Sequence, residues 1–263
     1  CSLLPIRVYT DSLQLAIDDT IEGILFAINY AQNNPTKKVI VNMSFGRICG
    51  GPTQVEQDAI NLAWDNGLLL VAARGNSGDT STFCPARADN VIAVSGTTLD
   101  DQLWSSSSWS LVDLAAPAVP IYNIAASNLL DPPYIPTYGG TSFSSAIVSG
   151  VAGLVWSVDM TMINAQVDQI LTDSADVIGD PASREAFFGA GRINANAAVD
   201  LALNPPPPPT PTPTPAPTPP PLPYTLLEVT KPGPNGIIRQ GLNSFEGKRL
   251  PSSVEELYIL MVG

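Results

Sequence analysis

The chain has 263 residues, of which 44% are apolar and 14% charged, a composition that allows a sizeable core and argues against global disorder. Its net charge of −12 argues against binding nucleic acid through the phosphates, and no run of about 18 or more consecutive apolar residues predicts a membrane span. Low charge with many Ser, Thr, Asn and Gly residues favours a secreted or cell-surface location.

The N-terminus allows two interpretations. The chain begins at Cys1 with neither an initiating Met nor a signal peptide, and a strand-like segment follows at once at residues 5–10. A lipoprotein that begins at a lipid-modified Cys would have similar first residues, but such proteins usually have a polar tether before the folded domain. We therefore expect a fragment that has been cut at its front.

Strand-like and helix-like segments alternate through residues 1–204. In the first part of the chain, the sequence predicts a strand at 6–9, a helix that begins at Asp18 and Asp19 and ends at Asn-Asn-Pro (33–35), and a strand at 39–43. A second helix is predicted to begin at the capping-box pair Thr53 and Glu56 and to end at Gly67. The remaining predicted elements are strands at 68–72 and 91–94 and helices at 142–157, 164–171 and 194–203. This alternation predicts an α/β fold of three layers, with helices on both faces of a parallel sheet.

The spacing of apolar residues predicts which surfaces are buried. The inward residues are expected to be Ile21, Ile24, Leu25, Ile28 and Ala31 in the first helix, and Val55, Ala59, Leu62 and Ala63 in the second. The nearly continuous apolar run at 39–43 predicts a strand that is buried on both faces. Residues 142–157 are apolar or small on every side, which predicts a helix in the centre of the protein.

The composition changes at Asn204. Residues 205–223 contain 13 of the 26 prolines and no charged residue, which predicts a semi-rigid polyproline linker. A ligand for proline-binding domains is the alternative, although Thr-Pro repeats without basic flanks favour a stalk. Residues 224–263 include two strand-like stretches and predict a short, truncated β-rich accessory segment. The predicted organisation is therefore a domain at 1–204, the linker and this tail.

Ser142 is a candidate nucleophile. Acyl transfer needs a nucleophile, a base and an oxyanion site. The sequence Gly-Gly-Thr-Ser at 139–142 places Ser142 at the mouth of the predicted helix, where its oxygen and any anion beside it meet unpaired backbone N–H groups. A serine N-cap on an ordinary core helix explains the same residues.

Two other segments contain groups that suit the same chemistry. Asn76 follows the predicted strand at 68–72 in a Gly-Asn-Ser-Gly turn, and its side-chain N–H groups suit a developing oxyanion. The alternative is an asparagine that only shapes the turn. Residues 41–46 end another predicted strand with a small-residue edge against which an extended peptide can pair.

Taken together and in this order, the three segments resemble the subtilisin-like serine proteases, the subtilase or peptidase S8 family. Residues 140–150 are similar to the family's nucleophile motif Gly-Thr-Ser-Met-Ala-x-Pro-x-Val-x-Gly, Asn76 to the asparagine of its Ala-Ala-Gly-Asn turn, and residues 41–46 to its strand Ile-Asn-Met-Ser-Leu-Gly. Further matches lie at 84–94, 112–117 and 189–194. The resemblance covers residues 4–203 and leaves the tail outside.

The resemblance implies a site that cleaves peptide bonds. Ser142 is the expected nucleophile, and Asn76 with the Ser142 backbone N–H is expected to hold the oxyanion. The groove that binds the substrate backbone is expected to consist of Ser44, Phe45, Gly46, Ala73, Arg74 and Gly75. We expect protein or peptide substrates, a monomer and no required cofactor. No metal ligand is assigned, and structural calcium sites of the kind found in this family cannot be read from the spacing.

The chain contains three cysteines, so at least one is unpaired within it. Cys49 and Cys84 each lie beside a segment assigned to the groove, which makes them candidates for a disulfide. Closing these 35 residues contributes about 3–4 kcal/mol on the loop-entropy model. Two buried thiols are the alternative.

The sequence contains no histidine. The family's triad follows the chain order Asp, His, Ser, and its first two members precede the strand predicted near Ile6. Asp113 matches a structural segment, and a carboxylate alone lacks the pKa to deprotonate a serine near neutral pH. We therefore expect the chain by itself to be inactive.

Departures from the family pattern leave two questions open. Arg74 replaces a small residue, and it either lies at the groove, where it favours acidic substrates, or turns outward to solvent. A catalytically dead scaffold that binds peptides is the alternative function, although such a scaffold needs neither Ser142 nor Asn76. An α/β-hydrolase is excluded because Ser144 occupies the second glycine position of its Gly-x-Ser-x-Gly motif.

Overall fold

The computed structural model of the chain describes residues 1–9, 17–124, 134–136 and 139–205. The predicted linker, after its first residue, and the predicted β-rich tail at 224–263 lie outside the described residues. In chain order the elements are α1 (Ile17–Asn33), β1 (Ile40–Met43), β2 (Arg47–Ile48), α2 (Gln54–Asp65), β3 (Leu69–Ala73), β4 (Phe83–Cys84), β5 (Ile92–Thr97), β6 (Leu114–Pro117), β7 (Tyr122–Ile124), β8 (Tyr134–Pro136), α3 (Thr141–Val158), α4 (Asn164–Asp173), α5 (Arg184–Phe188) and α6 (Ala195–Leu203).

The centre of the fold is a four-stranded parallel sheet in the order β1-β3-β5-β6. Residues of β3 are buried on both faces and alternate between two cores. Leu69 and Val71 belong to a core with α3, α4 and α6, whereas Leu70 and Ala72 belong to a core with α1 and α2. Helices therefore cover both faces of the sheet, which confirms the predicted three-layer α/β fold.

Two short antiparallel ribbons accompany the sheet. In the first, β2 pairs with β4, and in the second, β7 pairs with β8. The β2–β4 ribbon lies next to the functional site, because β2 begins directly after residues 44–46.

The strand predicted at 39–43 is less buried than expected. Of its residues, only Met43 is buried, while Ile40, Val41 and Asn42 are partly exposed. The reason is its place in the sheet: β1 is at one end of the strand order, so one side has no neighbouring strand among the described residues. The predicted strand at 6–9 is reduced to isolated bridges at Ile6 and Tyr9.

The helix α2 buries a different side from the predicted one. The predicted capping box of Thr53 and Glu56 is present, but Val55 and Leu62 are 63% and 46% exposed. The buried side instead contains Glu56 and Ile60, together with the correctly predicted Ala59 and Ala63. Glu56 can be buried because Arg47 donates to its carboxylate at 2.6 Å. In α1, similarly, Leu25 is 38% exposed although Ile24 and Ile28 are buried.

The helix α3 is the core helix of the domain, and it contacts all four strands of the parallel sheet. One side of it is buried, but the opposite side exposes Gly150 and Leu154, so the predicted burial on every side is wrong. Among the described helices, α3 alone is long and apolar enough to cross a membrane. A buried core helix meets the same two criteria, and its packing here is that of a core helix.

Candidate active site

The carboxyl ends of β1 and β3 meet the N-terminus of α3. Met43 pairs with Ala72 across the two strands, so the segments that follow them leave the sheet side by side. The first of these segments contains Ser44, and the second leads to Asn76. Because α3 begins at Thr141, Ser142 lies in its first turn, next to both segments. The sheet therefore brings together three segments that are far apart in sequence.

Ser142 and Ser44 are joined directly. The Ser142 hydroxyl donates to the Ser44 carbonyl oxygen at 3.0 Å, and the Ser44 hydroxyl donates to the Ser142 carbonyl oxygen at 2.8 Å. Both side chains are partly buried. The pair holds the backbone of the first turn of α3 against the end of β1.

A wider polar network supports this pair. Asn42 Nδ2 donates to Ser44 Oγ at 2.8 Å, and Ser145 Oγ donates to the Ser142 carbonyl oxygen at 3.0 Å. Ser149 Oγ, one turn further along α3, donates to Asn42 Oδ1 at 3.2 Å. The network therefore links β1 to two turns of α3 and fixes the position of the Ser142 backbone. The sequence analysis does not single out Asn42, Ser145 or Ser149. The spacing of Ser142, Ser145 and Ser149, three and four residues apart along α3, is a usable signal for the two serines, whereas Asn42 on β1 has no such signal.

The side chain of Asn76 has a fixed orientation. Its Oδ1 accepts from the Thr141 backbone N–H at 3.0 Å and from the Thr141 hydroxyl at 2.8 Å. The Thr141 hydroxyl in turn accepts from the Gly75 N–H at 3.2 Å. Because a backbone N–H can only donate, the atom that faces Thr141 must be the amide oxygen. The Nδ2 group therefore points away from Thr141, and Asn76 is exposed.

The expected groove residues lie in the two segments beside this centre. Ser44, Phe45 and Gly46 are partly exposed, whereas Ala73 and Gly75 are buried. Between the segments lies a residue that sequence reasoning did not name, Phe83 of β4, which contacts Gly46 and Gly75. Isolated glycines and an aromatic residue further along the chain form no sequence pattern that would predict such a contact.

Cys49 and Cys84 are joined by a disulfide with a Cα–Cα distance of 5.9 Å. It ties β4 to the residue that follows β2, where the Cys49 N–H also donates to the Thr82 carbonyl oxygen at 3.0 Å. Of the two alternatives that the sequence allowed, the structure has the disulfide. Cys1 is exposed and unpaired.

Arg74 occupies neither of its two expected positions. It is 1% exposed and turned into the protein, so it faces neither the groove nor solvent. Its guanidinium donates to the carbonyl oxygens of Ser110 at 2.7 Å, Ser81 at 2.8 Å and Trp109 at 3.3 Å. Burial lowers the pKa of Arg74, and the nearby cation Arg87 lowers it further. The side chain turns inward because these carbonyl oxygens satisfy its donors.

Asp113 lies at the opposite end of the sheet from Ser142. It precedes β6, and its Oδ2 accepts from the Ala93 backbone N–H at 2.7 Å. This carboxylate therefore joins β6 to β5 and is not within reach of Ser142. Within the described residues, no group of three or more His, Cys, Asp or Glu side chains is arranged to hold a metal ion.

Comparison with known proteins identifies relatives of this domain. A model of the subtilase family matches residues 1–191. The thermophilic serine proteinase of Bacillus sp. (strain AK1) is 35% identical over 181 residues, which are 68% of this chain and 42% of that protein. The extracellular protease of Xanthomonas campestris pv. campestris is 35% identical over 199 residues, 74% of this chain and 33% of that protein.

Solved protease structures also resemble this domain. The structure of the patellamide maturation protease PatA is similar with a TM-score of 0.64 and 28% sequence identity, over 75% of this chain and 73% of that one. The chain spans less than half the length of the two curated relatives above.

Proposed function

Because the chain belongs to the subtilase family, we propose that it carries the nucleophile and the oxyanion donors of a serine endopeptidase. One observation carries this proposal: Asn76 Oδ1 is held by Thr141, the residue directly before Ser142. This contact directs the Asn76 amide donors away from Thr141 and keeps them beside the start of α3. An asparagine that only shaped its own turn would not need these contacts to the start of α3.

The proposed reaction is acyl transfer through Ser142. Its Oγ forms a bond to the carbonyl carbon of the substrate and loses its proton to a base. The carbonyl oxygen becomes an oxyanion, which Asn76 Nδ2 and the Ser142 N–H stabilise in the first turn of α3, where N–H groups lack helical partners. The C–N bond then breaks as the amine takes up the proton, and water hydrolyses the acyl-enzyme.

The base is not contained in these 263 residues. The chain has no histidine, and Ser142 Oγ donates to a backbone carbonyl oxygen, which cannot take up its proton. We therefore propose that the chain alone hydrolyses no peptide and that turnover requires an imidazole from outside these residues. Loss of the base costs about 10⁶ in turnover in subtilisin, a member of the same family.

The remaining features of the proposal follow from the family. The substrates are proteins or peptides in extended conformation, the location is extracellular, and the protein is a monomer that needs no cofactor for the reaction. A catalytically dead scaffold is the second candidate, favoured by the absence of histidine. The orientation of Asn76 argues against it, because peptide binding alone does not need an oxyanion donor.

Labelling with a fluorophosphonate probe tests the proposal. The gene product that contains these residues is expected to be labelled at Ser142, and Ser142→Ala is expected to abolish the labelling. Ser157→Ala, which removes an exposed hydroxyl from the end of the same helix, is the matched control and should label normally. Labelling that survives Ser142→Ala would overturn the assignment. An unlabelled gene product that still binds peptides would favour the scaffold.

A further inference from the structure

The aromatic ring of Phe83 fills the space between the two segments that lead to the candidate active site. A Cβ atom added to Gly75 would lie 2.4 Å from Phe83 Cδ2 and 2.5 Å from Cε2. A Cβ atom added to Gly46 would lie 3.5 Å from Phe83 Cβ and Cδ1. The Phe83 side chain therefore lies against the backbone of both segments. Because both positions are glycine, no other side chain lies between the ring and that backbone.

The close approach depends on the backbone of Gly75. Its φ of +113° lies in a region that residues with a side chain rarely adopt. Any side chain here would also overlap the ring of Phe83. A glycine at position 75 therefore leaves room for the ring, and Phe83 stays partly exposed.

Phe83 is held in place by its own ribbon. It pairs with Ile48 in the β2–β4 register, and its carbonyl oxygen accepts from the Arg87 N–H at 2.8 Å. The next residue, Cys84, is buried and joined to Cys49. The cross-linked ribbon thus fixes the backbone from which the ring extends.

The segments that enclose Phe83 are the ones that contact the reacting residues. Gly75 donates to Thr141, which orients Asn76, and Ser44 accepts from the hydroxyl of Ser142. A peptide carbonyl that reaches Ser142 and Asn76 therefore lies at the mouth of the space between the segments. Successive side chains of an extended peptide point to opposite sides, so the residue that supplies this carbonyl directs its side chain either into that space or away from it.

We propose that Phe83 restricts the substrate residue that supplies the attacked carbonyl, here called the acyl residue, to glycine, alanine or serine. The inference rests on the proposed function, since it concerns the substrate of the same site. A larger acyl side chain that enters the groove meets the ring of Phe83, which fills the space between the two segments. Aromatic and long aliphatic acyl residues are excluded because the volume that they need is occupied.

Peptide binding to the 263-residue chain tests this inference without requiring turnover. The probes are acetyl-Ala-Ala-Pro-Ala and acetyl-Ala-Ala-Pro-Phe with free carboxylates, titrated to millimolar concentration while the NMR signals of the Asn76 side-chain amide and the Gly75 amide are followed. The alanine peptide is expected to bind at least about tenfold more tightly than the phenylalanine peptide. Phe83→Gly is expected to reverse this preference.

Controls separate the possible failures. Tyr30→Ala truncates an aromatic residue on α1, outside the groove, and should leave the preference unchanged. Phe83→Ala replaces Phe83→Gly if the glycine variant loses its dispersed amide spectrum. Equal affinity of the unmodified chain for both peptides would overturn the size restriction while leaving the proposed function intact. If neither peptide shifted the Asn76 or Gly75 signals, the groove assignment itself would be wrong, and the inference with it.

Discussion

Ser142 and Ser44 exchange hydrogen bonds in both directions, each hydroxyl donating to the backbone carbonyl oxygen of the other residue at 3.0 and 2.8 Å. The two residues are 98 positions apart in sequence, so the pair is a tertiary contact that ties the first turn of α3 to the end of β1. The Ser142 carbonyl oxygen also accepts from Ser145 Oγ, which gives that oxygen a second donor.

The Ser142 carbonyl oxygen accepts from both Ser44 and Ser145, so the effects of removing these two hydroxyls on the free energy of unfolding should depend on each other. Either single variant, Ser44→Ala or Ser145→Ala, is expected to lower the free energy of unfolding by about 1 kcal/mol, because one donor to this oxygen remains. The two losses are not expected to add. The cycle should give a coupling energy of about 0.5–1 kcal/mol in magnitude, because the two hydroxyls share this acceptor and also contact each other at 3.1 Å. Urea denaturation measures the cycle, with Ser157→Ala as a control near zero. Strictly additive losses would contradict the shared role.

The proposed donor role of Asn76 can be separated from its structural role with Asn76→Asp. An aspartate still accepts from Thr141 through one oxygen, so the free energy of unfolding is expected to change by less than about 0.5 kcal/mol. The second oxygen replaces the Nδ2 donor with a negative charge, so kcat of the gene product is expected to fall by at least about 10²–10³, the loss measured for the corresponding donor in subtilisin.

Casein hydrolysis and urea denaturation provide the two measurements for this variant. Asn76→Ala is the comparison, because it removes the donor and the contacts to Thr141 together and should therefore lower stability as well. A kcat that is unchanged in Asn76→Asp would contradict the oxyanion assignment.

Arg74 is expected to be a structural cation of the loops behind the turn that contains Asn76. In Arg74→Met, the carbonyl oxygens of Ser81 and Ser110 lose charged donors, and the free energy of unfolding should fall by about 2–4 kcal/mol. Arg74→Lys should lose about half as much, because one ammonium cannot match the geometry of the planar fork. Thermal and urea unfolding measure both variants. Arg87→Lys, which keeps the positive charge of the neighbouring arginine, is the control and should change stability by less than about 0.5 kcal/mol.

Residues whose location depends on position along one element could be placed from the sequence. Asn76 and Ser142 follow a strand and open a helix, and parallel strands bring such positions to the same edge of the sheet. Arg74 could not be placed in this way, because its acceptors lie up to 36 residues away in loops without periodicity. Glu56 was not assigned to the buried side of α2, since its burial depends on Arg47, a partner outside the helix. Phe83 could not be placed either, because its contacts are with glycines, and glycines add no apolar side chains to a periodic pattern that would predict the contact.

The carboxylate of Asp168 on α4 makes the stability of the domain depend on pH. Burial raises the pKa of Asp168 to about 6, and the nearby carboxylate of Asp113 adds to the increase. In the unfolded chain the same group titrates near its ordinary value of 3.8, so between about pH 4 and pH 6 the folded state binds more protons than the unfolded state. The free energy of unfolding contributed by this group therefore falls as the pH rises through that range.

Asp168→Asn removes this dependence, because the amide stays neutral at every pH. The variant is expected to be more stable than the unmodified chain by about 1–2 kcal/mol at pH 7.5 and equally stable at pH 4. Urea denaturation at pH 4, 5, 6 and 7.5 measures the difference, with Asp200→Asn on the exposed side of α6 as the control for the loss of one negative charge. A stabilisation that was the same at pH 4 and pH 7.5 would show that titration of Asp168 is not its cause, because the protonated acid and the amide differ little in charge at the lower pH.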